Sequence, residues 1–226
     1  MSMSTAERVA DVLRRRITEG ALPPGARLSE EALVVELEVS RNTLREAFRL
    51  LSHEGLLVHE LHRGVFVPSL DEADVVDLYR LRRTIECDAV RSLEDLDADR
   101  LRPLYAAVEY AEAAAARGDW MDVGTANMDF HRCLVALAGS RRVDEVVRRL
   151  LAEVRLVFHA VATPRRLYEP YVVRNRELAD LLGEGDAGKA ADALADYLRD
   201  SEQQLIAAHR AGARDGHDLG SGPWAS

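Results

Sequence analysis

The chain of 226 residues has two cysteines, a single lysine and no long apolar run. Cys87 and Cys133 lie far apart and form no CxxC motif, so we expect buried free thiols and neither a disulfide nor a zinc ribbon. No segment approaches the roughly 18 consecutive apolar residues of a membrane span, and the first residues lack the apolar core of a signal peptide. These absences predict a cytoplasmic protein with no membrane partner.

Sequence motifs typical of enzymes are also missing. The chain has no GxSxG, no HExxH and no glycine-rich phosphate loop. A single histidine in a pocket could transfer protons, but the sequence places no residue that would orient it. A helical enzyme is therefore the least favoured class, and we expect no catalytic residues.

Positive charge is scarce as well, because the formal net charge is −9. Residues 1–70 carry 9 basic against 10 acidic residues (net −1), and the remainder carries 21 against 29 (net −8). Lys189 is the only lysine. Since no segment is strongly basic, any contact with DNA must come from the placement of a few arginines and not from a general positive field.

One short segment does concentrate arginine. The stretch "SRNTLREAFRLLSHEGLL", residues 40–57, predicts a helix with Ser40 as N-cap and Gly55 as C-terminal stop. Its three arginines are spaced four residues apart and so share one side of a helix with 3.6 residues per turn. The apolar residues fall on a separate face. The predicted buried stripe consists of Leu44, Ala47, Phe48 and Leu51.

Arg41 is the most informative of these arginines, the others being Arg45 and Arg49. It lies in the first turn, where the helix macrodipole disfavours a cation by roughly 0.3–1 kcal/mol. A helix whose N-terminus meets a phosphate gains from this arrangement, because free N–H groups and the guanidinium then address the same anion. A solvated charged face is the alternative interpretation, so the decision depends on the neighbouring elements.

Those neighbours predict a winged helix-turn-helix. A capping box of Ser4 and Glu7 opens a helix that stops at Gly20, and Ser29 caps a second helix directly before the arginine helix. Two short strands in "LLVHEL" and "VFVPSL" follow, with a turn between them. In this arrangement the arginine helix enters the major groove of DNA. The wing tip, at His62, Arg63 and Gly64, would meet the backbone or the minor groove.

The rest of the chain has only helical patterns, with no strand signal after the wing. Short breaks between the segments predict an antiparallel helical bundle. We therefore predict a mainly α protein with a DNA-binding winged helix-turn-helix at 1–69, a linker at 70–75, an all-helical domain at 76–212 and a loose tail at 213–226. The predicted helices are about 71–92, 97–117, 119–138, 141–162, 168–182 and 186–211.

The stretch "LPPGARLSEEALVVELEVSRNTLREAFRLLSHEGLLVHELHRGVFV" resembles the GntR family of bacterial transcription regulators. The continuation "LYRLRRTIECDAV…NMDFHRCLVALAGS…GEGD" resembles its FadR subgroup, which has an all-helical effector domain. The resemblance covers roughly residues 8–210. It implies a homodimer that binds a short palindromic operator as a repressor, and that releases the operator or binds it more tightly when a small metabolite fills the helical domain. Residues 76–212 would then be the effector-binding and dimerisation domain.

The resemblance also implies which residues contact DNA. One departure from the family is Glu38, where the family has glycine in the turn; a side chain there at positive φ would cost stability and place an anion near the DNA. For Arg27 and Arg49 a salt bridge within the domain is as good an interpretation as a phosphate contact. The implied DNA-contacting set is Arg27, Ser40, Arg41, Asn42, Thr43, Arg45, Arg49, Arg63 and Gly64.

Many members of the subgroup hold a metal ion, and the resemblance places its ligand positions at Asn127, His131, Asn175 and Tyr197. Only His131 is a good ligand, because amides and a neutral phenol bind such ions poorly. We therefore expect no metal, although His159 could supply a further donor.

Arg82 matches an arginine that lines the family's pocket. A buried guanidinium needs an anionic partner. That partner is either Glu86, four residues along the same helix face, or the carboxylate of a ligand. In the second case the effector is a small organic acid, and Asn127, His131, Asn175 and Tyr197 supply hydrogen bonds. A metal-dependent or an effector-independent regulator of the same fold remains the alternative.

Overall fold

The computed structural model describes residues 3–18, 20–94, 96–159 and 164–218. The chain divides into two compact units. The first comprises Met1–Leu70 together with Ser140–His159, and the second comprises Asp71–Gly139 together with Ala160–Ser226.

The first unit contains four helices and three short strands among its described residues. In chain order these are α1 (Thr5–Thr18), β1 (Arg27–Leu28), α2 (Glu30–Glu36), α3 (Arg41–His53), β2 (Val58–Glu60), β3 (Gly64–Phe66) and α7 (Arg141–His159).

The core of the first unit forms where the apolar faces of α1 and α3 meet. Val9, Leu13 and Ile17 of α1 are buried, and so is the whole predicted stripe of α3. Leu156 of α7 belongs to the same cluster. We predicted α7 within the helical domain at 76–212, whereas its packing groups it with the N-terminal elements.

The wing is larger than the predicted two-stranded hairpin. Its three strands lie in the order β1-β3-β2, and both pairs are antiparallel. β1 pairs Leu28 with Val65, and β2 pairs His59 with Val65 on the other side. A strand of two residues has no periodicity to detect, which is why the sequence did not predict β1.

The local signals around α3 are confirmed. The Ser40 hydroxyl caps α3 by accepting the Thr43 N–H, and Ser29 caps α2 in the same way through Ala32. Gly55 has a φ of 78° directly after α3. Glu38 has a φ of 52° in the turn between α2 and α3, as the departure from glycine implied.

The second unit is helical over the residues that the structure describes. α4 packs along α9, and α5 packs against α6 and α8. The bounds of its helices are α4 (Glu72–Arg91), α5 (Ala98–Arg117), α6 (Trp120–Ala136), α8 (Pro164–Gly183) and α9 (Ala187–Asp218).

Two expectations for this unit need correction. α9 continues to Asp218, six residues into the segment predicted as a loose tail, because alanine and arginine in "AHRAGARD" have high helix propensity. Cys87 is buried as expected, but Cys133 is only partly buried.

No described helix is long and apolar enough to cross a membrane.

Candidate functional site

The first candidate site is the exposed side of α3, which carries Arg41, Arg45 and Arg49. All three side chains face solvent because the opposite face of α3 is fixed in the core by its buried stripe. The start of the helix is ordered by Ser40 and Thr43, whose hydroxyl oxygens lie 2.8 Å apart. The α3 N-terminus is therefore presented to solvent with an arginine in its first turn.

The three arginines differ in their partners. Arg45 Nε lies 3.1 Å from a carboxylate oxygen of Glu30, and Arg49 Nη1 lies 3.0 Å from one of Glu46. For Arg49, the salt bridge within the domain is therefore present. Arg41 and Asn42 make no side-chain hydrogen bond or ion pair with the residues that the structure describes. Exposed pairs of this kind contribute only about 0–1 kcal/mol, so they do not prevent these arginines from binding DNA.

The wing tip brings two further arginines together around Gly64. Arg63 forms an ion pair with Glu60, and its guanidinium lies 5.3 Å from the centre of the Phe66 ring. Arg27 Nε lies 3.5 Å from the point where a Cβ on Gly64 would be, and the φ of Gly64 is 115°. A side chain at this position would be strained by its backbone conformation, and its Cβ would lie in ordinary van der Waals contact with Arg27. Within the described part of the chain, Arg27 forms no salt bridge.

The second candidate site is a buried polar network in the second unit. Four helices contribute to it, and each of its members is at most 4% exposed. The sequence predicted five of its members individually, and the sixth, Glu86, as the alternative partner of Arg82. The members are Arg82 and Glu86 of α4, Asn127 and His131 of α6, Asn175 of α8 and Tyr197 of α9.

Arg82 and Glu86 form the charged part of this network. Arg82 Nε donates to Glu86 Oε1 over 2.6 Å, and Nη2 reaches Oε2 at 3.5 Å. The guanidinium also lies 5.0 Å from the centre of the Tyr79 ring. Tyr79 is held in turn by Ser201 of α9, with 2.7 Å between their hydroxyl oxygens. The two opposite charges neutralise each other inside the unit.

The uncharged part of the network runs from Glu86 to α8. His131 Nδ1 lies 2.7 Å from Glu86 Oε2, and His131 Nε2 lies 3.1 Å from the Tyr197 hydroxyl. Asn127 Oδ1 accepts a hydrogen bond from Asn175 at 2.8 Å and lies 2.9 Å from the Tyr197 hydroxyl. When a neutral His131 donates from Nδ1 to Glu86, the single Tyr197 proton goes either to His131 Nε2 or to Asn127 Oδ1. The network thus connects α4, α6, α8 and α9 through side chains alone.

The surroundings set the charge states of the network. Burial alone would raise the pKa of Glu86, but the adjacent Arg82 and His131 lower it to about 2. Burial lowers the pKa of His131, which favours the neutral imidazole. Burial also raises the pKa of Tyr197 well above its usual value. At neutral pH the network therefore holds one cation and one anion.

One acceptor of the network has no donor. Asn175 Oδ1 is buried and makes no hydrogen bond with the described residues. An unsatisfied buried polar group costs roughly 1–3 kcal/mol. Asn175 is therefore the member with capacity for a further hydrogen bond.

The four family ligand positions do not fit a metal ion. Both ring nitrogens of His131 already have partners, and the one good oxygen ligand nearby, Glu86, is bound to Arg82. Asn127 Oδ1 lies within hydrogen-bond distance of Asn175 and Tyr197, and an amide oxygen is a weak ligand. Over the described residues there is no group of three His, Cys, Asp or Glu side chains that could hold a metal. The side chain of His159 lies outside the described residues.

Sequence reasoning missed the aromatic residues that surround Arg82 and Tyr197. Tyr171 lies 4.5 Å from Tyr197 between ring centres, and Arg174 lies 5.2 Å from the Tyr197 ring. Tyr79 was detectable, because it lies three residues before Arg82 on the same helix face. Ser201 was not, since it is 122 residues from the tyrosine that it contacts.

A winged helix-turn-helix with exposed arginines on its third helix, together with an all-helical unit, is the architecture of a transcription regulator. Two family models match the chain in this order. Residues 5–67 match the model described as bacterial regulatory proteins, gntR family, and residues 77–200 match the FCD domain. The chain belongs to the GntR family and carries an FCD domain, as in the FadR-like subgroup.

Relatives support this assignment along most of the chain. The crystal structure of a transcriptional regulator GntR from Rhodococcus sp. RHA1 is 41% identical, with a TM-score of 0.81, and covers 91% of this chain and 99% of that one. An HTH-type transcriptional regulator in an unstable DNA locus of Streptomyces ambofaciens is 31% identical over 83% of this chain and 79% of the relative. A protein of Paenarthrobacter nicotinovorans named "Probable D-xylose utilization operon transcriptional repressor" is 28% identical over 86% of each chain. The family and these relatives are DNA-binding transcription regulators and not enzymes.

Proposed function

We propose that this transcription regulator is a ligand-responsive repressor that binds a palindromic operator as a homodimer and senses a small organic acid in its helical unit. Because its target is chromosomal DNA, we expect it in the cytoplasm. The observation that carries the DNA-binding half of the proposal is the exposed side of α3, where Arg41 has no competing partner among the described residues.

The proposed DNA interface combines the start of α3 with the wing. Ser40, Arg41, Asn42 and Thr43 would meet phosphates and base edges, because the free N–H groups of a helix N-terminus bind anions. Arg45 would read a base, since an arginine can donate two hydrogen bonds to guanine in the major groove. Arg27, Arg63 and Gly64 would follow the neighbouring backbone or minor groove.

The dimer and its operator can be tested together. Duplexes selected from a random pool by the full chain should contain an inverted repeat, because a two-fold dimer reads a two-fold sequence. Sedimentation of the protein with such a duplex should give two chains per site. Selected sites without an inverted repeat, or one chain per site, would contradict this part of the proposal.

The effector half of the proposal rests on Arg82. A ligand carboxylate could take over the guanidinium from Glu86, because arginine binds carboxylates bidentately. Asn127, His131, Asn175 and Tyr197 would then bind the polar groups of the same ligand. Asn175 supports this most directly, since its Oδ1 has no donor among the described residues.

A panel of carboxylic acids would test the effector class. A ligand that binds only the folded protein raises the melting temperature in proportion to the logarithm of its concentration at saturation. We expect this rise with at least one small carboxylate and not with its matched amide. If the amide stabilised the protein equally, the carboxylate would not be what Arg82 recognises.

We also propose that the network functions without a metal. The His131 Nδ1 and the Glu86 carboxylate, which could bind a metal ion, already contact other side chains of the network. The melting temperature should therefore be the same after dialysis against a chelator and after addition of Zn²⁺ or Ni²⁺. Stoichiometric, tight binding of either ion in calorimetry, lost in His131→Asn, would contradict the metal-free network.

The Arg82–Glu86 pair also favours a second candidate, a regulator that needs no effector. Glu86 already neutralises Arg82 over 2.6 Å, so the buried charges of the helical unit are balanced without a ligand and the unit could serve dimerisation alone. In that case no member of the acid panel would change the melting temperature or the affinity for the selected duplex.

A further inference from the structure

We infer that Glu30 is a positioning residue for base readout, which holds Arg45 so that only the outer end of its guanidinium faces DNA. This inference rests on the proposed function of Arg45 as a base-reading residue.

The contact is specific in its geometry. Glu30 accepts from Arg45 Nε through both carboxylate oxygens, at 3.1 Å to Oε2 and 3.3 Å to Oε1. Neither Nη1 nor Nη2 of Arg45 makes a hydrogen bond to a described residue. A guanidinium has five N–H donors. The contact therefore uses the inner donor and leaves the four outer ones available.

The free end matches the requirement of the major groove. A bidentate contact to guanine O6 and N7 needs two N–H groups that point in the same direction. The two terminal nitrogens, Nη1 and Nη2, satisfy this when Nε is bound by a carboxylate on the opposite side of the guanidinium. The Glu30 carboxylate thus favours the orientation of Arg45 in which the terminal nitrogens can bind guanine.

Both partners are held by the core of the first unit. Glu30 follows the N-cap Ser29 and lies one turn from Leu33, which is buried. Arg45 follows Leu44, which is fully buried in α3. The Glu30 side chain is 32% exposed and that of Arg45 is 61% exposed. Glu30, which holds the contact, is thus the more buried partner, and Arg45 is the partner that reaches solvent.

Charge alone would predict the opposite effect of Glu30. A carboxylate close to the phosphate backbone repels DNA, so its removal should strengthen binding to every duplex. A positioning role predicts that removal weakens discrimination between sequences, even where general affinity rises. The ratio of specific to non-specific affinity separates the two roles.

Glu31 is a matched control for Glu30. It is the next residue of α2, lies in the same first turn, is exposed and forms no ion pair with a described residue. Glu31→Gln therefore removes the same charge and the same interaction with the helix dipole. It leaves the contact with Arg45 in place.

The experiment measures binding of the full chain to a duplex that it selects from a random pool and to a scrambled duplex of equal composition. We expect Glu30→Gln to lower the affinity ratio about three- to fivefold, the upper part of the range for one exposed ion pair. Glu31→Gln should leave the ratio within about twofold of wild type. Glu30→Asp, which keeps the charge on a shorter side chain, should fall between Glu30→Gln and wild type. Unfolding midpoints of the variants verify that each is folded.

The Arg45→Ala background decides whether Glu30 acts through the arginine. If it does, Glu30→Gln no longer changes the ratio in that background. Equal effects of Glu30→Gln and Glu31→Gln, or an effect of Glu30→Gln that persists without Arg45, would overturn the inference. If Arg45→Ala itself left the ratio unchanged, the proposed base contact would be wrong, and the inference would fail with it.

Discussion

An arginine and a glutamate form an ion pair in both units, in very different surroundings. Arg45 and Glu30 lie at the surface, with side chains 61% and 32% exposed. Arg82 and Glu86 are buried, with side chains 2% and 1% exposed. Water can replace either partner of the first pair at little cost, whereas nothing solvates a partner left alone in the second. The proposed DNA contact therefore needs no change in the first pair, whose outer donors are free, whereas a proposed ligand carboxylate would have to displace a partner in the second.

The difference between the pairs predicts the largest effect for Glu86. Glu86→Ala should lower the free energy of unfolding by about 3–5 kcal/mol, because it leaves the buried Arg82 charge without a partner. Urea unfolding of the full chain measures this. The matched variant is Glu30→Ala, which should cost about 1 kcal/mol or less. Similar losses in the two variants would show that burial does not distinguish the pairs.

Acid should disrupt the buried pair, and the lowered pKa of Glu86 fixes the direction in which stability changes with pH. The pKa of Glu86 falls from an ordinary value of 4.5 to about 2 in the folded protein, so its contribution is complete above pH 4.5 and is lost as the pH falls towards 2. By linkage the loss is about 3 kcal/mol. The stability of wild type should therefore decrease more steeply over this range than that of Glu86→Gln, which cannot titrate. Parallel curves would contradict the assigned charge state.

His131 should add a shallower dependence at higher pH. Burial lowers its pKa in the folded protein, so the unfolded chain binds the proton more readily as the pH falls through about 6.5. Stability should therefore decrease between pH 7.5 and 5.5, and the decrease should be absent in His131→Asn. A decrease of the same size in this variant would assign it to other groups.

The exposed side of α3 should affect DNA binding and not stability. Arg41→Ala and Arg45→Ala should each weaken binding to the selected duplex by roughly 1–3 kcal/mol, with the dimer intact. Arg102→Ala is a suitable control, because its side chain is 78% exposed and forms a pair of the same exposed kind in the second unit. If all three variants bound equally well, α3 would not be the reading helix.

The smallest expected effect concerns the turn before α3. Glu38→Gly should raise the free energy of unfolding by about 0.5 kcal/mol, because glycine adopts a φ of 52° without the strain of a side chain. Glu31→Gly, at a helical position, should instead lower it by about 1 kcal/mol. A loss of stability in Glu38→Gly would mean that the glutamate side chain makes a stabilising contact there.

The elements near α3 could be predicted because their signals are local. Ser40, Gly55 and Glu38 each act within a few residues of the chain, and the structure confirms all three. β1 and the continuation of α9 to Asp218 were missed. A strand of two residues forms only through its pairing with β3, which the local sequence does not indicate. The residues after 212 include both good helix formers and turn formers, so their composition fits a helix as well as an irregular tail.

In the buried network, too, only the contacts between residues close in the sequence could be predicted. Arg82 and Glu86, like Asn127 and His131, are spaced four residues apart and could be placed on common helix faces. Their convergence with Asn175 and Tyr197 came from the resemblance and agrees with the structure. The Tyr79–Ser201 contact joins distant parts of the chain, and no spacing in the sequence indicates it. The DNA contacts stay predictions, and so do the domain boundaries, with the DNA-binding domain ending at residue 69 and the helical domain beginning at residue 76.

The most direct test of the account is the salt dependence of DNA binding by wild type and Arg41→Ala. Each phosphate contact contributes about 0.9 to the slope of log K against log salt concentration. Loss of Arg41 from both chains of a dimer should therefore reduce the slope by roughly 2. An unchanged slope, with affinity as in wild type, would show that the guanidinium at the start of α3 does not meet the DNA backbone.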